Sequence, residues 1–231
     1  MSYSYLAEHI NEVKKDIAAV CNRIGKSAEE ITLLGVTKTY EADVMNASIE
    51  YGIQNVAENR VQEVIRKFDD VNKGVKWHLI GHLQTNKVKY IIDKVDLIHS
   101  VDSLKLAQEI STRAGRIGKT QDILIQVNVA DETQKFGVSP EELKTLLKDI
   151  SNLPHIRVCG LMNIAPFLDD PEMLRDDFKI MKQLFDGLED YNFENVKSTY
   201  LSMGMSNDYE VALEEGSNML RIGTKIYGKR I

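Results

Sequence analysis

The sequence predicts an α/β fold, a (β/α)8 TIM barrel with one extra helix at its N-terminus. Short apolar runs alternate with amphipathic segments along the chain, eight such runs can be counted, and no G-x-G-x-x-G motif follows the first of them. Strict alternation of strands and helices requires parallel strands joined by right-handed crossovers. Eight units favour a closed barrel over an open dinucleotide-binding sheet.

The first half of the chain predicts one helix followed by four strand–helix units. Apolar side chains in residues 4–23 recur at spacings of three and four, which is typical of a helix with one buried face. The apolar runs that follow are short enough for strands, a glycine closes the helix over 40–52, and Ser103 is a plausible cap for the helix over 103–118. The predicted strands cover 31–38, 53–59, 75–82 and 95–101, and the helices cover 40–52, 60–68, 83–93 and 103–118.

The second half repeats this pattern. Residues 122–130 (DILIQVNVA) carry the strongest strand signal in the chain. Ser139 and Pro140, followed by two glutamates, are typical of a helix start over residues 139–151. The remaining predicted strands cover 156–165, 198–204 and 218–224, and the remaining predicted helices cover 171–190 and 208–216.

Length and composition predict a single domain, residues 1–231, in the cytoplasm. The chain has 231 residues, 43% of them hydrophobic, and a net charge of -6, which argues against a nucleic-acid or anionic-membrane surface. It has no signal-peptide core and no apolar run long enough for a membrane span. The two cysteines, Cys21 and Cys159, form no metal or redox motif and are expected to be reduced thiols.

Lys38 ends the first predicted strand. Because side chains alternate along a strand, Leu34, Val36 and Lys38 share one face, so the lysine would stand at the rim of a barrel. Active sites of such barrels lie at the C-terminal ends of the strands. The other predicted strand ends carry Asn59, His82, Met162, Asn163, Ser202 to Ser206, Arg221, Gly223 and Thr224.

The last two predicted strand ends, GMSND (204–208) and RIGT (221–224), stand where barrels usually bind phosphate. They offer the hydroxyl groups of Ser206 and Thr224, the guanidinium of Arg221, and close backbone approach at Gly223. A lysine facing a phosphate site suggests pyridoxal phosphate, whose aldehyde condenses with an amine.

Each of these residues also has a structural interpretation. Lys38 could be a solvated surface lysine, and Ser206 and Asp208 could cap the helix over 208–216. Arg221 could pair with a carboxylate. His78 and His82 would lie on one strand face, but no third ligand for a metal is apparent.

Five segments resemble signatures of the pyridoxal phosphate homeostasis proteins, the YggS/PROSC family. These segments are VTKTY (36–40), AENRVQE (57–63), WHLIGHLQTNK (77–87), GLMNIAP (160–166) and residues 201–228. They occur in the expected order across nearly the whole chain. Ala57 and Tyr40 depart from the pattern, where a glycine and a proline are common, and neither touches the proposed cofactor contacts. The resemblance implies a barrel like the N-terminal domain of alanine racemase, the fold type III architecture.

The resemblance also implies roles for individual residues. By the matching motifs, Lys38 would hold pyridoxal 5'-phosphate as a Schiff base and Arg221 would lie at the pyridine nitrogen. A cation there keeps that nitrogen unprotonated, which disfavours carbanion chemistry. The phosphate would be bound by Ser206, Gly223 and Thr224, and the pocket would be lined by Asn59, His82 and Met162.

Three functions remain open at this point: a carrier that holds the cofactor for intracellular homeostasis without turnover, a fold type III racemase or decarboxylase, and a class I aldolase using Lys38. Racemisation needs proton donors on both faces of Cα, and only Lys38 can be nominated. Racemases of this fold carry a further β domain, whereas the last predicted strand here is followed only by KIYGKRI. We therefore expect a monomeric carrier that serves pyridoxal phosphate-dependent apoenzymes and binds neither nucleic acid nor membrane.

Overall fold

The computed structural model describes residues 3–130 and 136–228, and these form a closed barrel of eight parallel strands. Each strand pairs with the next in sequence, and the first pairs with the last, so the predicted (β/α)8 barrel is confirmed. Residues 229–231 of the C-terminal KIYGKRI segment lie outside the described residues. The strands are β1 Thr32–Val36, β2 Asn55–Glu58, β3 Lys76–Leu79, β4 Leu97–Val101, β5 Gln121–Gln126, β6 Ile156–Met162, β7 Val196–Met205 and β8 Met219–Ile222.

The helices surround the barrel, and the extra N-terminal helix packs on the last two of them. Its apolar stripe, which includes Leu6, Ile10 and Val13, is buried as the periodicity predicts. Among the described residues no helix combines the length and apolar character that a membrane span requires. The helices are α1 Ser4–Ile24, α2 Ala42–Glu50, α3 Val61–Lys67, α4 Leu104–Arg116, α5 Pro140–Ile150, α6 Arg175–Asp186, α7 Tyr209–Glu214 and α8 Thr224–Tyr227.

The connection after β3 differs from the prediction. The segment predicted as a helix over 83–93 is a short 3-10 helix, Thr85–Tyr90. It buries Val88 inside the turn, and Ile91 and Ile92 just after it. The segment contains β-branched, aromatic and asparagine residues of modest helix propensity, and a short 3-10 helix suffices to bury those three apolar side chains. The strand before it is also shorter than predicted, since β3 ends at Leu79.

The two faces of the barrel differ in chemistry. The outward side chains of the strands join the helices in one large apolar core. The interior holds a smaller apolar cluster that includes Leu34, Val36 and Met162. Several buried polar side chains belong to strands of the same barrel, among them His78, His99, Ser202 and Arg221. The alternation predicted for the first strand is therefore confirmed for Leu34 and Val36.

Gly160 allows β6 and β7 to approach closely where their register shifts. Its φ is +137°, and a Cβ at this position would lie 1.9 Å from the carbonyl oxygen of Tyr200. Both the backbone angle and the contact exclude a side chain. The irregularity lies directly before Met162 and Asn163, so Gly160 determines how β6 enters the C-terminal rim.

Gly160→Ala is therefore expected to lower the free energy of unfolding by roughly 3 kcal/mol or more, because strain and a backbone clash add. Urea unfolding followed by circular dichroism measures the loss. Gly118→Ala is the matched control, since Gly118 also has a positive φ (+66°) but no neighbouring atom within 4 Å of the added Cβ. It should cost about 1 kcal/mol. Equal losses in the two variants would contradict the proposed close contact.

Candidate functional site

A pocket of about 360 Å³ opens at the C-terminal rim of the barrel, where β1, β2, β7 and β8 end. This volume is within the range of small-molecule sites. Its walls combine charged groups with apolar side chains, including Ile80 and Phe167. Six of the eight residues predicted for the site line it: Lys38, Asn59, Ser206, Arg221, Gly223 and Thr224.

Lys38 stands in a tight turn directly after β1 and not in the strand itself. The amide of Tyr40 donates to the carbonyl oxygen of Thr37 at 3.1 Å, and Thr39 has a φ of +75°. A positive φ at the third position is typical of a type II turn. The apolar stretch around Leu34 and Val36 thus points into the barrel, and Lys38 follows as the chain leaves the rim. This position places its side chain at the pocket.

A buried ionic cluster holds the residue before Lys38. The Thr37 hydroxyl donates to Glu58 Oε1 at 2.7 Å, and Lys67 Nζ donates to the Thr37 carbonyl oxygen at 3.1 Å. Lys67 also donates to Glu58 Oε1 at 2.8 Å, and both side chains are almost fully buried. Burial raises the pKa of Glu58, an effect that the bonds from Lys67 and Thr37 oppose. The side chain and the carbonyl group of Thr37 are therefore both fixed, and so is the start of the turn that carries Lys38.

Arg221 projects from β8 as a buried cation, with 4% of its surface exposed. Its Nη1 donates to Ser202 Oγ at 2.8 Å, and its Nη2 donates to the Asn163 carbonyl oxygen at 2.7 Å. Burial lowers its pKa to about 10, so the group is still protonated at neutral pH. The carboxylate pairing considered for Arg221 does not occur among the described residues, where both acceptors are neutral.

The ends of β7 and β8 meet at Ser206. Its Oγ accepts the backbone N–H groups of Gly223 at 3.2 Å and of Lys225 at 3.5 Å. These N–H groups lie where α8 begins, so the Ser206 hydroxyl does not cap α7, which was its alternative role. Because Oγ accepts both bonds, its own proton can be donated into the pocket. Two backbone donors and one hydroxyl thus converge on a single point.

Asp208 lines the pocket, although the sequence suggested for it only a helix cap. It occupies the N-cap position of α7, but its carboxylate accepts the Met205 amide at 2.5 Å and no amide of the helix. Burial raises its pKa. Asp208 thus closes the turn that presents Ser206. The sequence signal for this role was that Asp208 belongs to GMSND, the segment predicted to bind phosphate. An aspartate at the start of a helix more commonly caps that helix, so the signal did not single out the turn.

Asn59 carries a polar atom without a partner. It follows β2 and lines the pocket, and its Oδ1 is buried with no hydrogen bond to the described residues. An acceptor left in this state costs free energy, unless a ligand or water supplies a donor. Asn59 is therefore a candidate ligand contact.

His82 and Met162 do not line this pocket. Met162 is fully buried in the barrel interior with Leu34 and Val36. His82 lies on the exposed rim, where its ring stacks on Phe136 at a centroid distance of 3.7 Å. Met162 lies in the interior because side chains alternate along β6. His82 lies on the exposed rim because β3 ends early, at Leu79.

The two histidines considered for a metal do not converge. His78 lies within β3 and bonds to His99 inside the barrel, whereas His82 belongs to the loop beyond the strand. Within residues 3–130 and 136–228, no group of three or more metal-binding side chains occurs.

A larger cavity of about 780 Å³ lies at the opposite, N-terminal end of the barrel. Its charged lining is mixed, with Lys14, Lys76 and Lys119 facing Glu29, Asp96 and Asp122 among others. In barrels this face serves stability, whereas chemistry occurs at the C-terminal face. The smaller pocket, with its amine, guanidinium and converging donors, is the candidate functional site.

Comparison with known proteins identifies one family model and several relatives that cover nearly the whole chain. Residues 11–230 match the family described as "Alanine racemase, N-terminal domain". The chain is 44% identical over 225 residues to a pyridoxal phosphate homeostasis protein of Aquifex aeolicus. The alignment covers 96% of this chain and 97% of that protein.

Two solved structures place the fold in the same group. PipY of Synechococcus elongatus, solved with PLP bound, is 30% identical, has a TM-score of 0.83, and covers 96% of this chain and 100% of its own. An alanine racemase of Clostridium difficile is similar in fold alone, with 18% identity and a TM-score of 0.78. That match covers 99% of this chain and 57% of the racemase. The chain therefore belongs to the family of pyridoxal phosphate homeostasis proteins, which share the barrel of the alanine racemase N-terminal domain.

Proposed function

We propose that this protein binds pyridoxal 5'-phosphate in the C-terminal pocket and takes part in intracellular homeostasis of that cofactor, without turning over a substrate. The observation that carries the proposal is that the Lys38 amine, the Arg221 guanidinium and the donors around Ser206 all line one pocket. The Aquifex relative is named for this role, and PipY was solved with the cofactor.

The residues present fit the cofactor. Pyridoxal phosphate is a small anion with an aldehyde, and the pocket offers a buried cation whose acceptors are neutral. The N–H groups of Gly223 and Lys225 converge on Ser206 Oγ, where an anion could be bound. The buried Oδ1 of Asn59 lacks a donor. Each of these features suits a ligand with negative charge and a hydroxyl group.

When bound, the cofactor supplies an aldehyde that reacts reversibly with a primary amine and releases water. Lys38 is the amine that we propose holds it, on a turn fixed by Glu58 and Lys67 through Thr37. We assign the phosphate to the segment after β7 and β8, where Ser206, Gly223 and Thr224 lie, and the ring nitrogen to Arg221.

A carrier fits the pocket better than a racemase does. Among the described residues that line it, the acidic and basic side chains are Lys38, Asp208 and Arg221. Asp208 is engaged with the Met205 amide, and the guanidinium stays protonated at neutral pH. Racemisation requires an acid–base group on each face of the substrate carbon. Lys38 supplies one of them.

The surroundings of Lys38 also suit exchange of the cofactor. A second pocket of about 410 Å³ shares Lys38 and Asn59 with the first and is otherwise lined mainly by charged residues, including Arg60 and Arg66. Lys38 therefore borders two pockets. We propose that the protein acts as a single-domain monomer in the cytoplasm and passes the cofactor to apoenzymes that need it.

Lys38→Ala is expected to abolish covalent retention of the cofactor. Purified protein incubated with pyridoxal phosphate and reduced with borohydride should carry one adduct, and peptide mass analysis should place it on Lys38. Lys119→Ala is the control, because Lys119 lines the cavity at the opposite end of the barrel, where its Nζ donates to the carbonyl oxygens of Ile92 and Val95. An adduct that persists in Lys38→Ala, or that wild type never forms, would contradict the assignment.

Ser206→Ala is expected to weaken binding of the cofactor roughly 3- to 10-fold, because it removes the hydroxyl group that we propose donates to the phosphate. Equilibrium dialysis with pyridoxal phosphate measures the dissociation constant, and pyridoxal without phosphate should bind both proteins equally. Ser198→Ala, at an exposed serine bonded to Glu189, should change nothing. An equal loss for both vitamers would place the phosphate elsewhere.

Wild-type protein saturated with the cofactor is expected to show no turnover of amino acids. Loss of the α-deuterium label from a panel of L- and D-amino acids, followed by mass spectrometry, detects racemisation, and carbon dioxide release detects decarboxylation. Sustained turnover that disappears in Lys38→Ala would favour the racemase or decarboxylase alternative.

A further inference from the structure

A line of buried polar side chains crosses the barrel interior from the candidate site toward the opposite end. Arg221 Nη1 lies 2.8 Å from Ser202 Oγ, which lies 3.2 Å from His99 Nδ1. His99 Nε2 lies 2.9 Å from His78 Nδ1, and His78 Nε2 lies 3.2 Å from Asn55 Oδ1. Asn55 and His78 line the N-terminal cavity. The line therefore joins the two ends of the barrel.

The order of donors along this line is determined by Arg221. A guanidinium only donates, so Ser202 Oγ accepts from it, and the Ser202 proton goes to His99 Nδ1. His99 then carries its proton on Nε2 and donates to His78, and His78 donates from Nε2 to Asn55 Oδ1. The reverse order would leave the Ser202 proton without an acceptor in the described part of the chain. Both histidines are therefore neutral Nε2–H tautomers.

Burial is consistent with neutral imidazoles. Both histidines are almost fully buried, which lowers the pKa of His78 to about 3 and that of His99 well below its ordinary value. Arg221 and Lys76 carry the nearby positive charges that oppose protonation further. At neutral pH the chain of bonds thus carries a charge only at its Arg221 end.

We propose that Ser202 and His99, supported by His78 and Asn55, are positioning residues that hold the Arg221 guanidinium in its orientation toward the cofactor pocket. This inference rests on the proposed function. Two acceptors, Ser202 Oγ and the Asn163 carbonyl oxygen, fix the plane of the guanidinium, and neither neutralises it. A carboxylate in the same place would fix the plane and cancel the charge. The neutral chain supplies orientation without adding a negative charge, so that the carboxylate of Asp208, which lines the same pocket, is the negative group acting on Arg221 there.

The cofactor-free protein tests the chain itself. Nitrogen-15 NMR of the imidazoles should show His78 and His99 as neutral Nε2–H tautomers throughout pH 5 to 8. In Ser202→Ala, the His99 Nδ1 resonance should move, because its donor is lost. Protonation of either ring within this range, or an Nδ1–H tautomer, would overturn the proposed chain.

Binding of pyridoxal phosphate tests what the chain does. Ser202→Ala should bind the cofactor roughly 3- to 10-fold more weakly, because it removes one bond that orients Arg221. The pH titration of its bound chromophore should also shift, because the cation near the ring nitrogen moves. Ser217→Ala is the matched control, since Ser217 is equally buried beside β7 but donates to backbone carbonyl oxygens. It should keep the wild-type affinity and spectrum.

The outcomes separate the two proposals. If wild type binds the cofactor and Ser202→Ala matches Ser217→Ala in affinity and titration, the positioning role is wrong and the proposed function stands. If wild type takes up no pyridoxal phosphate, the proposed function fails, and the purpose assigned to the chain fails with it. His99→Leu should reproduce Ser202→Ala, whereas His99→Asn, which keeps an acceptor near the Nδ1 position, should restore part of the affinity.

Discussion

The pairing of the first strand with the last is the constraint on which the candidate site depends. Leu34 lies opposite Arg221 and Gly35 opposite Ile222, so β1 and β8 run side by side toward the same rim. The turn that carries Lys38 and the segment that begins with Gly223 therefore emerge as neighbours, although they come from opposite ends of the chain. Without closure of the barrel, the amine and the converging N–H groups would lie on separate edges of an open sheet.

Two buried cations, Lys67 and Arg221, have different partners. Lys67 is neutralised by Glu58 and also contacts Glu63, so that cluster fixes the Lys38 turn and contributes little field to the pocket. Arg221 is equally buried, but its acceptors are a hydroxyl and a carbonyl oxygen. A charge in a low-dielectric interior acts strongly on a nearby anion, because water does not screen it. The difference explains how one region can be rigid and the other selective for a negatively charged ligand.

Local patterns were sufficient to predict most of the fold. Strand alternation placed Leu34 and Val36 inside the barrel, and Ser139 with Glu142 forms the capping box expected at α5. Lys38 reaches the predicted rim from the turn after β1 and not from the strand itself. The segment after β3 was predicted wrongly, because the spacing of Val88, Ile91 and Ile92 fits both an α-helix and a short 3-10 helix. The intrinsic propensities for an α-helix and for a 3-10 helix differ little in this segment, so the packing of the apolar side chains decides between them.

The interior of the site was harder to predict, because its contacts depend on register between distant strands. His78 and His99 each interrupt an apolar strand, which signals a buried polar contact, but their pairing requires knowing how β3 and β4 align. For Asp208 the sequence offered a helix cap as one interpretation, and only the turn geometry shows that its carboxylate accepts the Met205 amide. A single sequence does not specify such cross-strand relations.

The neutral partners of Arg221 connect the fold to the choice between carrier and catalyst. If Arg221 faces the ring nitrogen, its positive charge opposes protonation there, and the ring becomes a weaker acceptor for an electron pair from a substrate carbon. A catalyst for carbanion chemistry would instead require a partner that favours protonation, and a second acid–base group. Within the described pocket, Asp208 is bonded to a backbone amide and Lys38 stands between two openings. A site that orients a cation and places Lys38 between two pockets supports the proposed role, in which the protein holds an aldehyde reversibly and releases it.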